Sequence, residues 1–159
     1  MKIAFIGAGF MGEAIIAALL RQKITTPGKV YAHDIDQARL AALEKKYKVN
    51  STADIAKAIS DCDVVVLSIK PQVLAKVMNN LKGALKEGQL VLSIVAGASI
   101  ETISKGLQND SLVMVMPNTP AQVVKGMSVW TATSTVSQVQ KEMAQIILGA
   151  MGKEIYLQD

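Results

Sequence analysis

The sequence begins Met1-Lys-Ile-Ala-Phe-Ile-Gly-Ala-Gly-Phe-Met-Gly-Glu-Ala14, and this stretch decides the fold. Lys2 to Ile6 is an apolar run of strand length, and Glu13 to Leu20 is rich in Ala, Ile and Leu and predicts a helix. Between them stands a G-x-G-x-x-G pattern, from Gly7 to Gly12. A glycine turn that joins a strand to a helix predicts a dinucleotide-binding motif, with the pyrophosphate at the helix N-terminus.

The three glycines of this pattern have different predicted roles. Gly7 lets the chain turn sharply off the strand, because glycine adopts backbone angles that other residues disfavour. Gly9 has no Cβ, so a pyrophosphate can come close to the backbone, and Gly12 lets the helix pack against the strand. A turn that is glycine-rich for packing alone is the alternative, and the rest of the chain must decide between the two.

A length of 159 residues fits one domain, or one domain cut from something larger, and with the glycine motif we predict a dinucleotide-binding domain that covers residues 1–159. The chain is 50% hydrophobic but only 4% aromatic, so its core must consist of aliphatic side chains. Aliphatic runs are typical of parallel strands that are buried on both faces. The net charge of +4 helps to attract anionic ligands, but the lysines are scattered, so no nucleic-acid partner is expected.

The sequence favours a cytoplasmic location without membrane contact. No apolar run reaches membrane-spanning length, and the first strand begins at residue 2, which leaves no room for a signal peptide. The single cysteine, Cys62, excludes an internal disulfide and fits a reducing compartment. We interpret Cys62 as a small, semi-buried core residue rather than a nucleophile. The sole histidine, His33, is far from Cys62 in sequence, so no metal site is expected.

Strands alternate with helices along the whole chain. Further strands are predicted at 29–33, 48–50, 64–69, 89–95, 111–116, 127–133 and 153–157. Helices between them are predicted to end near residues 22, 47, 59, 82, 107 and 148. The predicted helix N-caps are Asp36, Ser51 or Thr52, Ser99 and Ser137. The pattern of 127–133 predicts a strand at the edge of the sheet.

This alternation predicts an α/β fold. We expect a Rossmann-like, doubly wound and mostly parallel sheet of about eight strands, with helices on both faces. The direction of the last strands stays open, parallel or antiparallel. In such a sheet, ligands bind outside the carboxyl ends of the strands, where the strand order switches.

Five unusual loops follow predicted strands and should therefore converge at this carboxyl edge. They are Gly7 to Gly9, Asp34, Lys70-Pro71, Ala96-Gly97 and Pro117 to Pro120. Five such loops at one edge are much harder to explain by packing than a single glycine turn. Their convergence favours a ligand site.

Asp34 indicates which dinucleotide is bound. It lies 22 residues beyond Gly12, near the offset of about 20 residues expected for an acid that binds the adenosine ribose. A carboxylate there accepts hydrogen bonds from the ribose hydroxyls and repels a 2′-phosphate. No basic residue follows closely, since Arg39 is a helical turn away, so NAD(H) is favoured over NADP(H). The alternative is that Asp34 is only a turn residue, an explanation that suits Asp36 better.

Four further polar residues are candidates for the site. His33 is placed near the adenine side, and Lys70 either contacts a ribose or phosphate or is solvated. Asn118 and Thr119 could orient a nicotinamide or a substrate carboxylate from their proline-bracketed loop. No catalytic residue is assigned, because in hydride chemistry the cofactor carries the reaction and the protein supplies position and electrostatics.

Four stretches together resemble the Δ1-pyrroline-5-carboxylate reductase family. They are Phe5-Ile-Gly-Ala-Gly-Phe-Met-Gly12, Leu67-Ser-Ile-Lys-Pro-Gln72, Leu92-Ser-Ile-Val-Ala-Gly97 and Met116-Pro-Asn-Thr-Pro-Ala121. The resemblance covers the whole chain but only the N-terminal, cofactor-binding half of the family. It implies the last step of proline biosynthesis, in which a hydride passes from NAD(P)H to the C=N carbon of a cyclic imino acid. It also implies homo-oligomers through a helical C-terminal domain that is absent from this chain, and little activity for the isolated domain.

The resemblance implies residue roles as well. The implied cofactor-binding residues are Gly7, Ala8, Gly9, Phe10, Met11, Gly12, Ser68, Ile69, Lys70, Pro71, Val95, Ala96, Gly97 and Asn118. The implied substrate-side residues are Asn118, Thr119 and Pro120. Asp34-Ile35 departs from the family, whose members often carry a small polar residue and an arginine there. This departure agrees with a preference for NADH.

Three alternatives to this reductase stay open. One is a coenzyme F420-dependent NADP reductase, which would need basic phosphate-binding residues after the second strand. The others are a different imine reductase and a non-catalytic NAD(H) sensor domain.

Overall fold

The structure, a computed structural model, describes residues 1–117 and 126–158. The strands in these residues are β1 (Ile3–Ile6), β2 (Val30–His33), β3 (Asn50–Thr52), β4 (Val64–Leu67), β5 (Leu90–Ser93), β6 (Leu112–Pro117), β7 (Gly126–Ala132) and β8 (Gly152–Tyr156). The α-helices are α1 (Phe10–Arg21), α2 (Gln37–Tyr47), α3 (Ile55–Ile59), α4 (Leu74–Leu81), α5 (Ile100–Leu107) and α6 (Gln138–Gly149). Single 3₁₀ turns cover Pro27–Lys29 and Pro71–Val73.

The described strands form one sheet, in the order β3-β2-β1-β4-β5-β6-β7-β8. Neighbouring strands are parallel except β6 and β7, which are antiparallel, while β7 and β8 are parallel again. The chain moves outward from β1 in one direction through β2 and β3, and in the other through β4, β5 and β6. The strand order therefore switches between β1 and β4. The predicted doubly wound, mostly parallel sheet is confirmed, and the open question about the last strands resolves to one antiparallel pair.

Helices cover both faces of the sheet, and successive strand residues belong alternately to the two apolar layers between the sheet and these helices. Ile3 and Phe5 of β1 belong to one layer, which includes residues of α1, α2 and α6. Ala4 and Ile6 belong to the other, which includes residues of α3, α4 and α5. Successive side chains of a strand point to opposite faces, so a strand that is covered on both sides must be apolar throughout. All four β1 residues are fully buried.

Three predicted helix N-caps are present as hydrogen bonds. The side chain of Asp36 accepts from two backbone N–H groups at the start of α2. Ser99 accepts from the backbone N–H of Thr102 at the start of α5. Ser137 and Gln140 form a reciprocal capping box at the start of α6. Each cap satisfies N–H groups that the helix leaves without a partner, and typically stabilises by about 1 kcal/mol.

The predicted cap of α3 was wrong. Ser51 and Thr52 belong to β3, which begins and ends two residues later in sequence than predicted and pairs with β2. The cap is Asp54, whose Oδ1 accepts from the backbone N–H of Ala56 at 3.0 Å. Thr52 instead accepts from the backbone N–H of Asp54 at 3.0 Å and so helps to form the turn before the helix.

The predicted edge position of 127–133 was also wrong. β7 lies between β6 and β8, and β8 is the strand at that edge of the described sheet. Trp130 of β7 is buried and donates its indole N–H to Glu154 of β8. A large buried aromatic residue with a cross-strand partner fits an interior strand better than an edge.

No helix in the described residues is both long enough and apolar enough to cross a membrane.

Candidate functional site

The loops after β1, β2 and β4 are held together by direct hydrogen bonds. Gly7 donates its backbone N–H to His33 O at 2.9 Å. On the other side, Ser68 donates its backbone N–H to Ile6 O at 2.9 Å and its hydroxyl to Gly7 O at 2.6 Å. The first turn of the chain is therefore joined to both neighbouring loops at the switch in strand order. The structure brings these predicted loops together at the carboxyl edge.

Gly7 and Gly12 are required by close approaches of the backbone. Gly7 has φ +98°, and a Cβ on it would lie 2.5 Å from Ser68 O. A Cβ on Gly12 would lie 2.6 Å from Gly7 O and 2.9 Å from the Ser68 hydroxyl oxygen. The predicted turn at Gly7 is present. The close packing at Gly12 is against the turn and Ser68 rather than against β1 itself.

Gly9 lies in open space. A Cβ on Gly9 would meet no heavy atom within 4 Å. Gly9 is the N-cap residue of α1, and no side chain caps this helix. Helix α1 has 12 residues, so its N-terminal N–H groups and its dipole favour an anion at this end. The glycine loop, defined as Gly7–Gly12, is thus closely packed at both ends and open in the middle, as a cradle for a diphosphate should be.

Asp34 connects the loop after β2 to the glycine loop. Its Oδ2 accepts from the backbone N–H of Ala8 at 2.8 Å, and its Oδ1 accepts from the backbone N–H of Asp36 at 2.9 Å. The second bond is the expected turn interaction, but the first joins residues far apart in sequence. A carboxylate oxygen has more than one acceptor site. Asp34 can therefore hold the glycine loop and still accept from a ligand hydroxyl.

Arg39 reaches the same loop from α2, which the sequence did not predict. Its Nε donates to Ala8 O, and its Nη2 donates to Glu13 Oε2 at 2.6 Å. Ala8 therefore bonds Asp34 through its N–H and Arg39 through its carbonyl oxygen. The signal in the sequence was the Asp36 cap. It fixes where α2 begins and places Arg39 three residues on, in the first helical turn.

Glu13 is the centre of a small charged cluster at the start of α1. Besides Arg39, its carboxylate accepts from the hydroxyl of Tyr47 at 3.1 Å and lies 3.5 Å from Lys46 Nζ. Partial burial opposes ionisation of Glu13. The hydrogen bonds from Arg39 and Tyr47 and the charges of Arg39 and Lys46 outweigh that effect, so the pKa of Glu13 is below its ordinary value. Glu13 is therefore ionised at neutral pH.

A mostly apolar cleft of about 690 Å³ adjoins the other side of the glycine loop. It lies where β4, β5 and β6 end. Its lining consists of Met11, Ser68, Ile69, Ile94, Val95, Ala96, Gly97, Ala98, Ser99, Met114, Val115 and Met116. Of the residues that the resemblance implied there, Lys70 and Pro71 are exposed beside the cleft and do not line it. Asn118, Thr119 and Pro120 lie outside the described residues.

Two polar candidates have contacts within the fold, and the predicted place of His33 near the adenine stays a prediction. The Nδ1 of His33 lies 3.1 Å from Thr52 O, so the ring contacts β3. Cys62 is buried, and burial, with a smaller effect of the Asp63 charge, raises the pKa of its thiol to about 11. The thiolate is thus disfavoured at neutral pH, which agrees with the interpretation of Cys62 as a core residue. No group of three His, Cys, Asp or Glu residues in residues 1–117 and 126–158 could hold a metal ion.

A doubly wound sheet with a glycine loop and a free helix N-terminus at its switch point defines a Rossmann-like dinucleotide-binding domain. Residues 2–97 match the family model described as NADP oxidoreductase, coenzyme F420-dependent. This match covers more than half of the chain, and the chain belongs to that family.

The chain is also similar to pyrroline-5-carboxylate reductases, which confirms the resemblance inferred from the four sequence stretches. The enzyme of Synechocystis sp. is 36% identical over 155 residues, which are 98% of this chain and 58% of the relative. The structure of the enzyme from Coxiella burnetii is 32% identical, with a TM-score of 0.94 over 99% of this chain and 59% of that one. The chain therefore spans somewhat more than half the length of the relatives it matches.

The fold is shared with a more distant reductase as well. The pyrroline carboxylate reductase of Plasmodium falciparum, whose structure has NADP bound, is 24% identical. Its TM-score is 0.85, over 99% of this chain and 57% of that one. At this identity the likeness establishes the fold.

Proposed function

We propose that the chain is the cofactor-binding part of a pyrroline-5-carboxylate reductase, an oxidoreductase that acts on CH–NH groups. The observation that carries the proposal is that the open glycine loop and an apolar cleft adjoin at the carboxyl edge. Met11 of the glycine loop lines the cleft together with the loops after β4 and β5. A dinucleotide needs both parts, a cradle for its diphosphate and a drier compartment for its nicotinamide ring.

The chain's own residues would bind and orient the cofactor. Gly9 and the N-terminus of α1 would receive the pyrophosphate, Asp34 the adenosine ribose, and Val95 to Gly97 would line the nicotinamide side. A reduced nicotinamide bound there would supply the hydride for the C=N carbon of 1-pyrroline-5-carboxylate, whose nitrogen would take a proton to give proline. The apolar lining around Ile69 and Val95 would exclude water there. Asn118, Thr119 and Pro120 remain the predicted substrate-side residues.

The test separates cofactor binding from turnover. We expect the 159-residue chain to bind NADH or NADPH in a fluorescence titration. We also expect it to oxidise the cofactor with 1-pyrroline-5-carboxylate at less than about one hundredth of the rate of a chimera. The chimera joins this chain to the C-terminal residues of the Synechocystis relative that the chain does not cover. A chain that binds neither dinucleotide, or a chimera that binds but does not reduce this substrate, would contradict the proposal.

A second candidate is an F420-dependent NADP reductase, favoured by the description of the matching family model. This candidate needs a basic phosphate-binding residue after the second strand, and Arg39, which contacts the glycine loop, is the residue that could meet that need. Hydride transfer from reduced F420 to NADP, measured on the same chimera, distinguishes the two reactions.

We propose further that NADH is preferred over NADPH. Asp34 supports this preference. Its carboxylate lies at the end of β2, where it would accept a hydrogen bond from a ribose hydroxyl and would repel a 2′-phosphate. The proposed partners are a small imino-acid substrate and a second copy of the protein. The second copy would bind through a region equivalent to the part of the relatives that this chain does not cover. The lone buried Cys62 suits the reducing cytoplasm that the sequence predicted.

The cofactor preference can be tested at Asp34. We expect Asp34→Asn to raise the ratio of the association constant for NADPH to that for NADH about tenfold or more. The reason is that a hydrogen bond to a charged group contributes about 1.5–3 kcal/mol. Asp36→Asn is the matched control. It removes the same charge two residues away, and asparagine caps a helix as well as aspartate does, so the ratio should change less than about twofold. A wild-type chain that already prefers NADPH would contradict the preference but not the binding.

A further inference from the structure

The ion pair between Glu13 and Arg39 has no role in the proposed function, yet it adjoins the dinucleotide site. Arg39 is bonded to Ala8 O, and Asp34 is bonded to the N–H of the same residue. The guanidinium and the carboxylate that would receive the adenosine ribose therefore bind the same residue of the glycine loop. Arginine at this place is the residue type that binds a ribose 2′-phosphate in NADP-dependent proteins.

Glu13 occupies one side of the guanidinium that would bind a phosphate. It accepts from Nη2 of Arg39 at 2.6 Å, and both side chains are partly shielded, with 31% of Arg39 and 21% of Glu13 exposed. Arg39 binds phosphate best through two parallel N–H groups. With Nε bonded to Ala8 O and Nη2 to Glu13, the Nε–Nη2 edge is divided between two protein acceptors, and only the edge that includes Nη1 is left for a ligand.

Further contacts keep Glu13 in place. Tyr47 donates its hydroxyl to Oε1, the oxygen that Arg39 does not use, and Lys46 approaches the same oxygen. The carboxylate thus has a partner on each oxygen. The pair is not the single exposed contact that contributes little to a protein.

We propose that Glu13 is a specificity-determining positioning residue, which selects NADH over NADPH by taking guanidinium N–H groups of Arg39 and so weakening the hold of Arg39 on a 2′-phosphate. This inference rests on the proposed dinucleotide function. It differs from the role of Asp34, which repels the 2′-phosphate directly. Glu13 acts only through Arg39.

The experiment measures binding at the adenosine end alone. The probes are AMP and adenosine 2′,5′-bisphosphate, which differ only in the 2′-phosphate, titrated into the 159-residue chain by calorimetry. We expect Glu13→Ala and the nearly isosteric Glu13→Gln to raise, about fivefold, the ratio of the association constant for the bisphosphate to that for AMP. NADPH and NADH should show the same change. In the double variant Glu13→Ala/Arg39→Met the increase should disappear, because the cation that binds the phosphate is gone.

Glu44→Gln is the charge control. Glu44 lies on α2 and bonds Ser51, and its substitution changes the net charge of the chain by the same amount without touching Arg39. Its ratio should stay within about twofold of the wild-type value. Thermal unfolding of each variant checks that binding is compared between folded chains. If Glu13→Ala does not fold, Glu13→Gln, which retains the size of the side chain, serves as the test variant.

The outcomes separate this inference from the proposed function. A wild-type chain that binds neither NADH nor NADPH contradicts the dinucleotide function itself. A chain that binds them, with a ratio that Glu13→Gln leaves unchanged or that rises equally without Arg39, overturns the role of Glu13 alone.

Discussion

Replacing Gly7 by alanine is expected to lower the free energy of unfolding by about 2–5 kcal/mol and to reduce dinucleotide binding at least tenfold. Gly7 has φ +98°, a conformation that costs an L-residue about 1–2 kcal/mol. The new Cβ would also lie 2.5 Å from Ser68 O, and overpacking typically costs about 1–3 kcal/mol more. A backbone carbonyl cannot rotate away as a side chain can, so β1 and β4 must separate at the site. Urea unfolding and NADH titration measure the two effects.

Gly83→Ala is the matched control for this substitution. Gly83 has a similar φ of +82°, but a Cβ there would meet nothing within 4 Å. It should therefore cost only the conformational part, about 1–2 kcal/mol, and leave NADH binding unchanged. If Gly7→Ala destabilises the chain no more than Gly83→Ala does, the close contact between the first turn and Ser68 is wrong.

The parts of the fold that could be predicted are those with local signals. The strand, glycine turn and helix at the N-terminus follow from one short stretch, and the cap at Ser137 follows from its spacing to Gln140. The wrong cap of α3 shows the limit of such signals, since Ser51, Thr52 and Asp54 are all good caps. The choice among them depends on the pairing of β3 with β2, which is a tertiary contact.

The interior position of β7 could not be predicted for a similar reason. An alternating strand can lie at an edge or between neighbours, and only the pairing with β8 decides. Trp130 was the available clue, because a tryptophan that is fully buried needs a partner for its indole N–H.

The candidate site divides in the same way. The glycine loop and the contact of Asp34 with Ala8 are consistent with spacings in the sequence. The ion pair between Arg39 and Glu13 joins two helices, and neither residue alone predicts it. The predicted roles of Lys70 and Asn118 stay predictions, because exposure of a side chain or a position in a loop does not identify a ligand.

Replacing Gly9 by alanine is expected to have the opposite profile to the Gly7 substitution. Gly9 has an extended backbone with φ −75°, and a Cβ there would meet nothing within 4 Å, so neither strain nor a clash arises in the chain itself. The remaining cost is that of alanine as a helix N-cap, about 1 kcal/mol or less. If a pyrophosphate approaches the N-terminus of α1 here, the methyl group must displace it. We then expect the affinity for NADH and NADPH to fall about tenfold to a hundredfold, equivalent to about 1.4–2.7 kcal/mol.

This separation of binding from stability is what makes Gly9 informative. Gly28→Ala is the matched control, because it adds the same methyl group in open space, in the turn before β2 and away from the glycine loop. It should leave both the unfolding midpoint and the affinity within the experimental error of wild type. AMP, which lacks the diphosphate bridge, should lose less affinity than NADH to Gly9→Ala, because the added methyl group lies at the bridge rather than at the ribose. Equal affinity of Gly9→Ala and wild type for NADH would show that the dinucleotide does not cross the chain at the start of α1. The glycine loop would then be glycine-rich for packing alone.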